Sequence, residues 1–281
     1  MSNDYFLYIL QDKSNFIKIR KITDNEHEIF KKASIFLNKL NTKLYFFRFV
    51  DYDYNELKNY KNAYNEDINN YPASIDNNTL LFEFFKLLHN YLSSTNLFLN
   101  QYSANVKRDY ETELFDEFEE LRRTLFDEHL SYKIIYELRN ELHHSTLPGI
   151  TINAQRESPT HPLEAKFYIQ KNYLKVGKLK NDPKFQQLND LIDIYEHMEN
   201  MNSYLMILVK KILKYELDIH LDYYEFLKGL IDEIDIEGKP CIIRFKEYTS
   251  EGIKPNIVFL DTQLIELINK IKIFKEELII E

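Results

Sequence analysis

The chain has 281 residues, of which 44% are hydrophobic and 29% charged, and its formal net charge is −9. This composition is that of a globular protein with room for one large domain or two smaller ones. The acidic balance argues against a broadly basic nucleic-acid-binding surface, but it leaves a local positive cleft open.

The single cysteine, Cys241, excludes an internal disulfide and a cysteine-based zinc site, and it fits a reducing compartment. Neither a signal peptide nor an apolar run of about 20 residues is recognisable, so the sequence predicts a cytoplasmic protein with no membrane contact.

Residues 1–74 predict a small α+β segment. Residues 5–10 and 16–20 resemble two strands joined by a polar turn. A helix with Asp24 as its N-cap is expected to reach about residue 40. Residues 42–50 are a further strand candidate, and the stretch 51–72, rich in asparagine and tyrosine, predicts a loop or a boundary.

Two long amphipathic helices are predicted next, at 78–106 and at about 112–130. Their apolar residues recur at spacings of three and four, as in Phe84, Leu88 and Leu92. The second helix carries eight acidic residues between Glu111 and Glu128, so its acidic face should point away from an RNA cleft or toward a basic partner.

A third predicted helix has one apolar face and one face with polar and titratable side chains. Leu138 and Leu142 lie on the apolar face, and Pro148 with Gly149 should end the helix. The opposite face presents the following side chains: Tyr136, Arg139, Asn140, His143 and His144. Arginine grips phosphate with a planar fork of donors, and histidine exchanges protons near neutral pH. This set suits RNA cleavage by the ribose 2′-OH, which needs no metal; the alternative is a solvated helix end, where Arg and His are electrostatically favoured.

The stretch from Arg139 to His144 reads R-N-x-x-x-H and resembles the signature of the HEPN superfamily. The resemblance covers roughly residues 75–215. It implies an all-helical domain, and many such domains are metal-independent endoribonucleases of toxin–antitoxin, CRISPR-associated and other anti-phage systems. It also implies that Arg139 binds the scissile phosphate, that His144 acts as general acid or base and that Asn140 orients both.

Further expectations come from the same resemblance. Two protomers would face each other through their motif helices as a homodimer. By their place on the same helix face, His143 and Tyr136 are candidates to support the catalytic residues. An antitoxin or other regulatory protein is a possible partner. Thr146 departs from the pattern of toxins paired with a nucleotidyltransferase, which often carry a tyrosine two residues after the motif histidine.

A lysine-rich hairpin is predicted after the motif helix, from residues 150–155 and 167–176. Seven basic and three acidic side chains between residues 151 and 185 give a local charge of +4. Lys171, Lys175 and Lys178 are therefore candidate contacts to an RNA backbone; a solvated surface hairpin is the alternative.

The C-terminal part predicts helices and short strands. A fourth long helix is expected at 184–215, with Asp182 as cap and Pro183 in its first turn. A shorter helix at 223–234, strands at 241–248 and 257–260 and a last helix from 264 complete the pattern. The terminal strands are candidates to pair in one small sheet. No phosphate-binding loop, dinucleotide fingerprint or metal-ligand spacing is recognisable.

The predicted fold is mainly α, a four-helix HEPN-like bundle with a β-hairpin insertion at about 150–178, flanked by small α+β segments at both termini. The predicted divisions are 1–74, 75–216 and 217–281. The predicted function is a metal-independent endoribonuclease of toxin or anti-phage defence type, without a cofactor. Two alternatives are a non-catalytic HEPN-like module that binds RNA or a protein, and a helical scaffold whose Arg/His cluster is incidental.

Overall fold

The structure is a computed structural model of the chain. It describes residues 5–12, 15–70, 77–144, 149–156, 158–174, 177, 179–234, 237–245, 255–260, 262 and 265–266. The described chain is mainly helical with two small antiparallel sheets, so the predicted helical class is confirmed. The HEPN-like arrangement of the bundle stays a prediction.

The helices are α1 (Asp24–Asn70), α2 (Asn77–Asp109), α3 (Thr112–Glu128), α4 (Leu130–His144), α5 (Pro183–Gln186) and α6 (Ile194–Asp232). The strands are β1 (Tyr5–Leu10), β2 (Phe16–Ile22), β3 (Ile150–Gln155), β4 (Glu164–Gln170), β5 (Leu191–Asp193), β6 (Lys239–Phe245) and β7 (Pro255–Phe259). No described helix is both long and apolar enough to cross a membrane.

The chain divides into two compact units. One comprises residues 1–42 and 212–281, and the other comprises residues 43–211. These limits fall inside α1 and α6, and neither coincides with the predicted divisions at 74 and 216.

Helix α1 is the largest departure from the sequence prediction, since it occupies the predicted strand at 42–50 and most of the predicted loop at 51–72. Four apolar residues in this stretch are buried, namely Leu44, Phe47, Val50 and Leu57. The intervals between them are three, three and seven residues, which correspond to about one, one and two turns of a helix. Aromatic and β-branched composition favoured a strand locally, but burial along one helical stripe decides the conformation.

The N-cap of α1 is Thr23 and not Asp24 as predicted. The Thr23 hydroxyl accepts the Glu26 amide at 3.2 Å, and the Glu26 carboxylate accepts the Thr23 amide at 2.8 Å. This reciprocal arrangement is a capping box, which satisfies two donors at the helix start.

The first unit contains an antiparallel sheet in the order β2-β1-β6-β7. Strand β1 pairs with β2 on one side and with β6 on the other, so the predicted pairing between N- and C-terminal strands is confirmed. Leu7, Ile9 and Cys241 are fully buried on it. The predicted last helix from 264 lies almost entirely outside the described residues.

The second unit contains the predicted helices at α2, α3 and α4, and the predicted hairpin at β3 and β4. Strand β4 ends at Gln170, however, and Lys171–Leu174 form a 3-10 turn instead of continuing the strand to residue 176.

The predicted helix from residue 184 is corrected as well. Asp182 caps the four-residue helix α5 by accepting the amides of Lys184 and Phe185, as its sequence signature indicated. The chain then adds β5 to the edge of β4 before α6 begins at Ile194. Helix α6 also includes most of the separate helix predicted at 223–234. The backbone of His220 is non-helical and marks a kink within α6.

Candidate functional site

Helix α4 presents the candidate residues. It packs against α2 and α3, and its Ile135 and Leu138 are fully buried. Arg139 and Asn140 are half-buried on the other side, and Tyr136 is exposed. The helix therefore separates a core face from a polar face, as the spacing predicted.

Arg139 is held by two amide oxygens. Its Nη1 donates to Asn140 Oδ1 at 2.5 Å, and its Nη2 donates to Asn96 Oδ1 on α2. The guanidinium carbon lies 5.8 Å from the centre of the Tyr136 ring, within cation–π range. Within the described residues, Arg139 forms no ion pair with a carboxylate and its Nε is buried without a hydrogen-bond partner.

The two asparagines are themselves fixed. Asn100 donates to Asn96 Oδ1 at 2.9 Å, and Asn140 donates through Nδ2 to Glu137 Oε2 at 3.1 Å. Each asparagine thus turns its oxygen toward Arg139. We call Arg139, Asn140, Asn96, Asn100 and Glu137 the Arg139 network. Its geometry fixes the plane of the guanidinium, and within the described residues the nearest linked carboxylate, Glu137, contacts Arg139 only through Asn140.

Glu137 brings the segment after the hairpin close to the network. This carboxylate is buried, and a Cβ placed on Gly177 would lie 2.4 Å from Glu137 Oε1. Gly177 also has a φ of +50°, a conformation that disfavours other residues. Glycine is therefore required there for both backbone conformation and close approach.

The motif histidines end the helix. The α4 backbone reaches His144, but the side chains of His143 and His144 lie outside the described part of the structure. Thr146 and Pro148 also lie outside it. Of the predicted catalytic set, the structure places Arg139 and Asn140 in direct contact.

Lys171 is not the surface contact that the sequence predicted. Its side chain is buried, and its ammonium donates to the backbone oxygens of Gln186 at 2.8 Å and Leu188 at 2.6 Å. It also lies 5.7 Å from the Phe185 ring centre. An ammonium used in this way inside the fold cannot also bind an RNA phosphate. Lys175 and Lys178 lie outside the described residues.

A pocket of about 380 Å³ opens between α3 and α4, beside the Arg139 network. Arg122 lies in its wall and forms a 2.6 Å ion pair with Glu119. Burial opposes ionisation of Glu119, but hydrogen bonds from Arg122 and Ser103 outweigh it and lower the pKa of this carboxyl. The acidic helix α3 therefore contains an internally compensated pair and not only a solvated acidic face.

Comparison of the chain with protein-family models, curated proteins and solved structures finds no match. In the described part of the chain, no group of three or more His, Cys, Asp or Glu side chains is arranged to hold a metal ion.

Sequence reasoning missed Asn96 and a second polar contact on α4. Ser131 and His197 are both buried, and Ser131 Oγ lies 2.8 Å from His197 Nδ1. Burial lowers the pKa of His197, which favours its neutral form. Asn200 donates to the same hydroxyl at 3.2 Å, so this contact ties α4 to α6. Neither the Asn96–Arg139 contact nor the Ser131–His197 contact has a signal in the sequence, because each joins two separate helices.

Proposed function

We propose that this chain is a metal-independent endoribonuclease in which Arg139 binds the scissile phosphate and His144 transfers a proton. The observation that carries the proposal is the state of Arg139, a half-buried guanidinium oriented by two amide oxygens and without a described carboxylate partner. The toxin or anti-phage role, the homodimer and a neutralising protein partner stay predictions from the resemblance.

The choice of amide over carboxylate matters electrostatically. Guanidinium has five N–H donors, and two of them are engaged by Asn140 and Asn96. An aspartate at either position would compensate the positive charge, whereas an amide orients the group and preserves it. Phosphate could then be bound by the remaining Nη hydrogens, in the charge-assisted geometry that arginine favours.

The position of His144 supports its proposed role. Residues four apart in a helix lie one turn apart on the same side, so the backbone places position 144 above Asn140. In the proposed reaction, the ribose 2′-oxygen loses its proton and bonds to phosphorus while the bond to the 5′-oxygen breaks and that oxygen gains a proton. His144 would accept or donate one of these protons, and Arg139 would stabilise the charge on the phosphoryl oxygens.

The deciding experiment is cleavage of single-stranded RNA in excess chelator. We expect a 2′,3′-cyclic phosphate and a 5′-hydroxyl as products, and no cleavage of the corresponding DNA. His144→Ala should lower the rate on the order of 10²-fold or more, the range for loss of a general acid–base group. Arg139→Lys should also fail, because ammonium lacks the planar fork, whereas Arg108→Lys on exposed α2 surface is the matched control.

Asn96→Asp tests the electrostatic argument directly. The substitution keeps the shape of the side chain but places a carboxylate against Arg139, so it should weaken RNA binding and cleavage. Asn90→Asp adds the same charge at an exposed position on the same helix and should change little. Cleavage that requires Mg²⁺, leaves a 5′-phosphate or survives His144→Ala would contradict the proposed mechanism.

A further inference from the structure

The α3–α4 pocket is large enough for a ligand and is lined by rings and charges. Its volume of about 380 Å³ lies within the range of about 300–1,000 Å³ typical of ligand sites. Phe126 and Tyr136 meet edge to face with ring centres 5.4 Å apart, and Tyr136 is 37% exposed. Such a ring can stack against a planar ligand.

The pocket is continuous with the Arg139 network. Tyr136 lines the pocket and also lies under the Arg139 guanidinium. Glu137 lines the pocket as well and accepts the hydrogen bond from Asn140. A ligand that bridged the two places would have an anionic group at Arg139 and a planar group against Tyr136.

The charges of the pocket favour a neutral planar group over a second anion. Two arginines, Arg122 and Arg123, and two carboxylates, Asp127 and Glu137, line the pocket, so the formal charges of its lining balance. Arg122 is further compensated by Glu119. Hydrogen-bond donors and acceptors beside aromatic rings are what a nucleobase requires, since its faces stack and its edges carry both donors and acceptors.

We propose that the α3–α4 pocket is the nucleobase subsite, where an unpaired base of single-stranded RNA stacks on Tyr136 while the adjoining phosphate is bound by Arg139. This inference rests on the proposed function for the role of Arg139, and it names the substrate as single-stranded instead of duplex RNA. An RNA duplex keeps its bases stacked internally and cannot offer one to the pocket.

The test is equilibrium binding of a 2′-O-methyl RNA hexamer of mixed sequence, which cannot be cleaved through the 2′-oxygen. Loss of a stacking aromatic is worth about 1–3 kcal/mol, so Tyr136→Ala should weaken binding about fivefold or more. Tyr136→Leu keeps an apolar contact with Phe126 and should weaken binding similarly, whereas Tyr136→Phe should bind within twofold of the unchanged protein. Tyr52→Ala, at a tyrosine that is 63% exposed on α1, is the matched control.

Salt dependence separates the two contacts. Stacking is not ionic, so Tyr136→Ala should leave the slope of affinity against salt unchanged, whereas Arg139→Gln should flatten it. A hexamer that does not bind, or one whose affinity is unaffected by Tyr136→Ala, would overturn the subsite; pairing with a protein surface would then be the better explanation of the pocket. Hexamer binding that depends on Tyr136 without cleavage of ordinary RNA would retain the subsite and reject the ribonuclease. Cleavage that is insensitive to Tyr136→Ala would retain the ribonuclease and reject the subsite.

Discussion

Replacing Lys171 by methionine tests whether this lysine stabilises the fold or serves as an RNA contact. Methionine has a comparable length and remains apolar, so the substitution removes the ammonium without opening a large cavity. The backbone oxygens of Gln186 and Leu188 would lose donors that now lie 2.8 and 2.6 Å away.

The magnitude follows from these two contacts. Hydrogen bonds to a charged group contribute about 1.5–3 kcal/mol each, which gives about 3–6 kcal/mol for the pair. Part of this is offset, because methionine avoids the cost of burying an ammonium. We therefore expect Lys171→Met to lower the free energy of unfolding by about 2–3 kcal/mol.

Urea unfolding followed by circular dichroism measures this change. With an m-value of about 2–3 kcal/mol/M, the midpoint should fall by roughly 1 M. Lys180→Met, at an exposed lysine in the same segment, should stay within about 0.5 kcal/mol of the unchanged protein. Under native conditions Lys171→Met should bind RNA like the unchanged protein. Unchanged stability together with weaker RNA binding would refute the structural role and restore the sequence prediction.

Two further predictions concern pH and glycine. The hydrogen bond from Arg20 holds the pKa of Glu26 at about 2, below its ordinary 4.5; the contact therefore stabilises the fold above about pH 4.5, and this contribution is lost as the pH falls toward 2. Acid titrations of unfolding should show Glu26→Gln less stable than the unchanged protein at pH 7 and equal to it near pH 2, and a constant difference would contradict the assignment. Gly177→Ala should cost about 1–3 kcal/mol through its positive φ and the contact with Glu137, whereas Gly229→Ala inside α6, where no atom lies within 4 Å, should add about 0.5–1 kcal/mol in the same urea assay. Equal effects of the two glycine substitutions would contradict this reading of Gly177.

The sequence predicted best where one periodicity dominated. Helices α2, α3 and α4 each bury a regular apolar stripe, and the observed limits of α2 and α3 lie within three residues of those predicted. The strands of the hairpin and of the terminal sheet were recognised from short apolar runs bounded by turns. Local pattern and tertiary packing agree in these elements, so either would give the same answer.

Prediction failed where local composition and packing disagree. In residues 42–50, aromatic and β-branched side chains favoured a strand, but Leu44, Phe47 and Val50 are buried along a helix. At residues 191–193 the apolar pattern favoured a helix, but pairing with β4 makes a strand. Both outcomes depend on partners distant in the sequence, which no local window contains.

The candidate site shows the same division. The spacing in α4 predicted that Arg139 and Asn140 both lie on the polar side, since neighbouring residues of a helix are only about 100° apart around its axis. Asn96 could not be predicted as the second holder of Arg139, because it lies 43 residues away on α2. Its identification depends on the packing of two helices, not on either sequence segment.

The local charge of +4 counted every lysine after the motif helix as available to RNA, and the structure shows why this count misleads. Lys171 binds backbone oxygens, and Lys184 donates to the backbone oxygen of Glu128. Asp182, one of the acidic residues in the count, is paired with Lys133 at 2.7 Å. One phosphate contact at Arg139 would contribute a salt slope of only about −0.7 for a single strand. In a chain of net charge −9, the proposed RNA affinity would therefore have to come largely from contacts that salt does not screen, and the proposed stacking on Tyr136 beside Arg139 would be one.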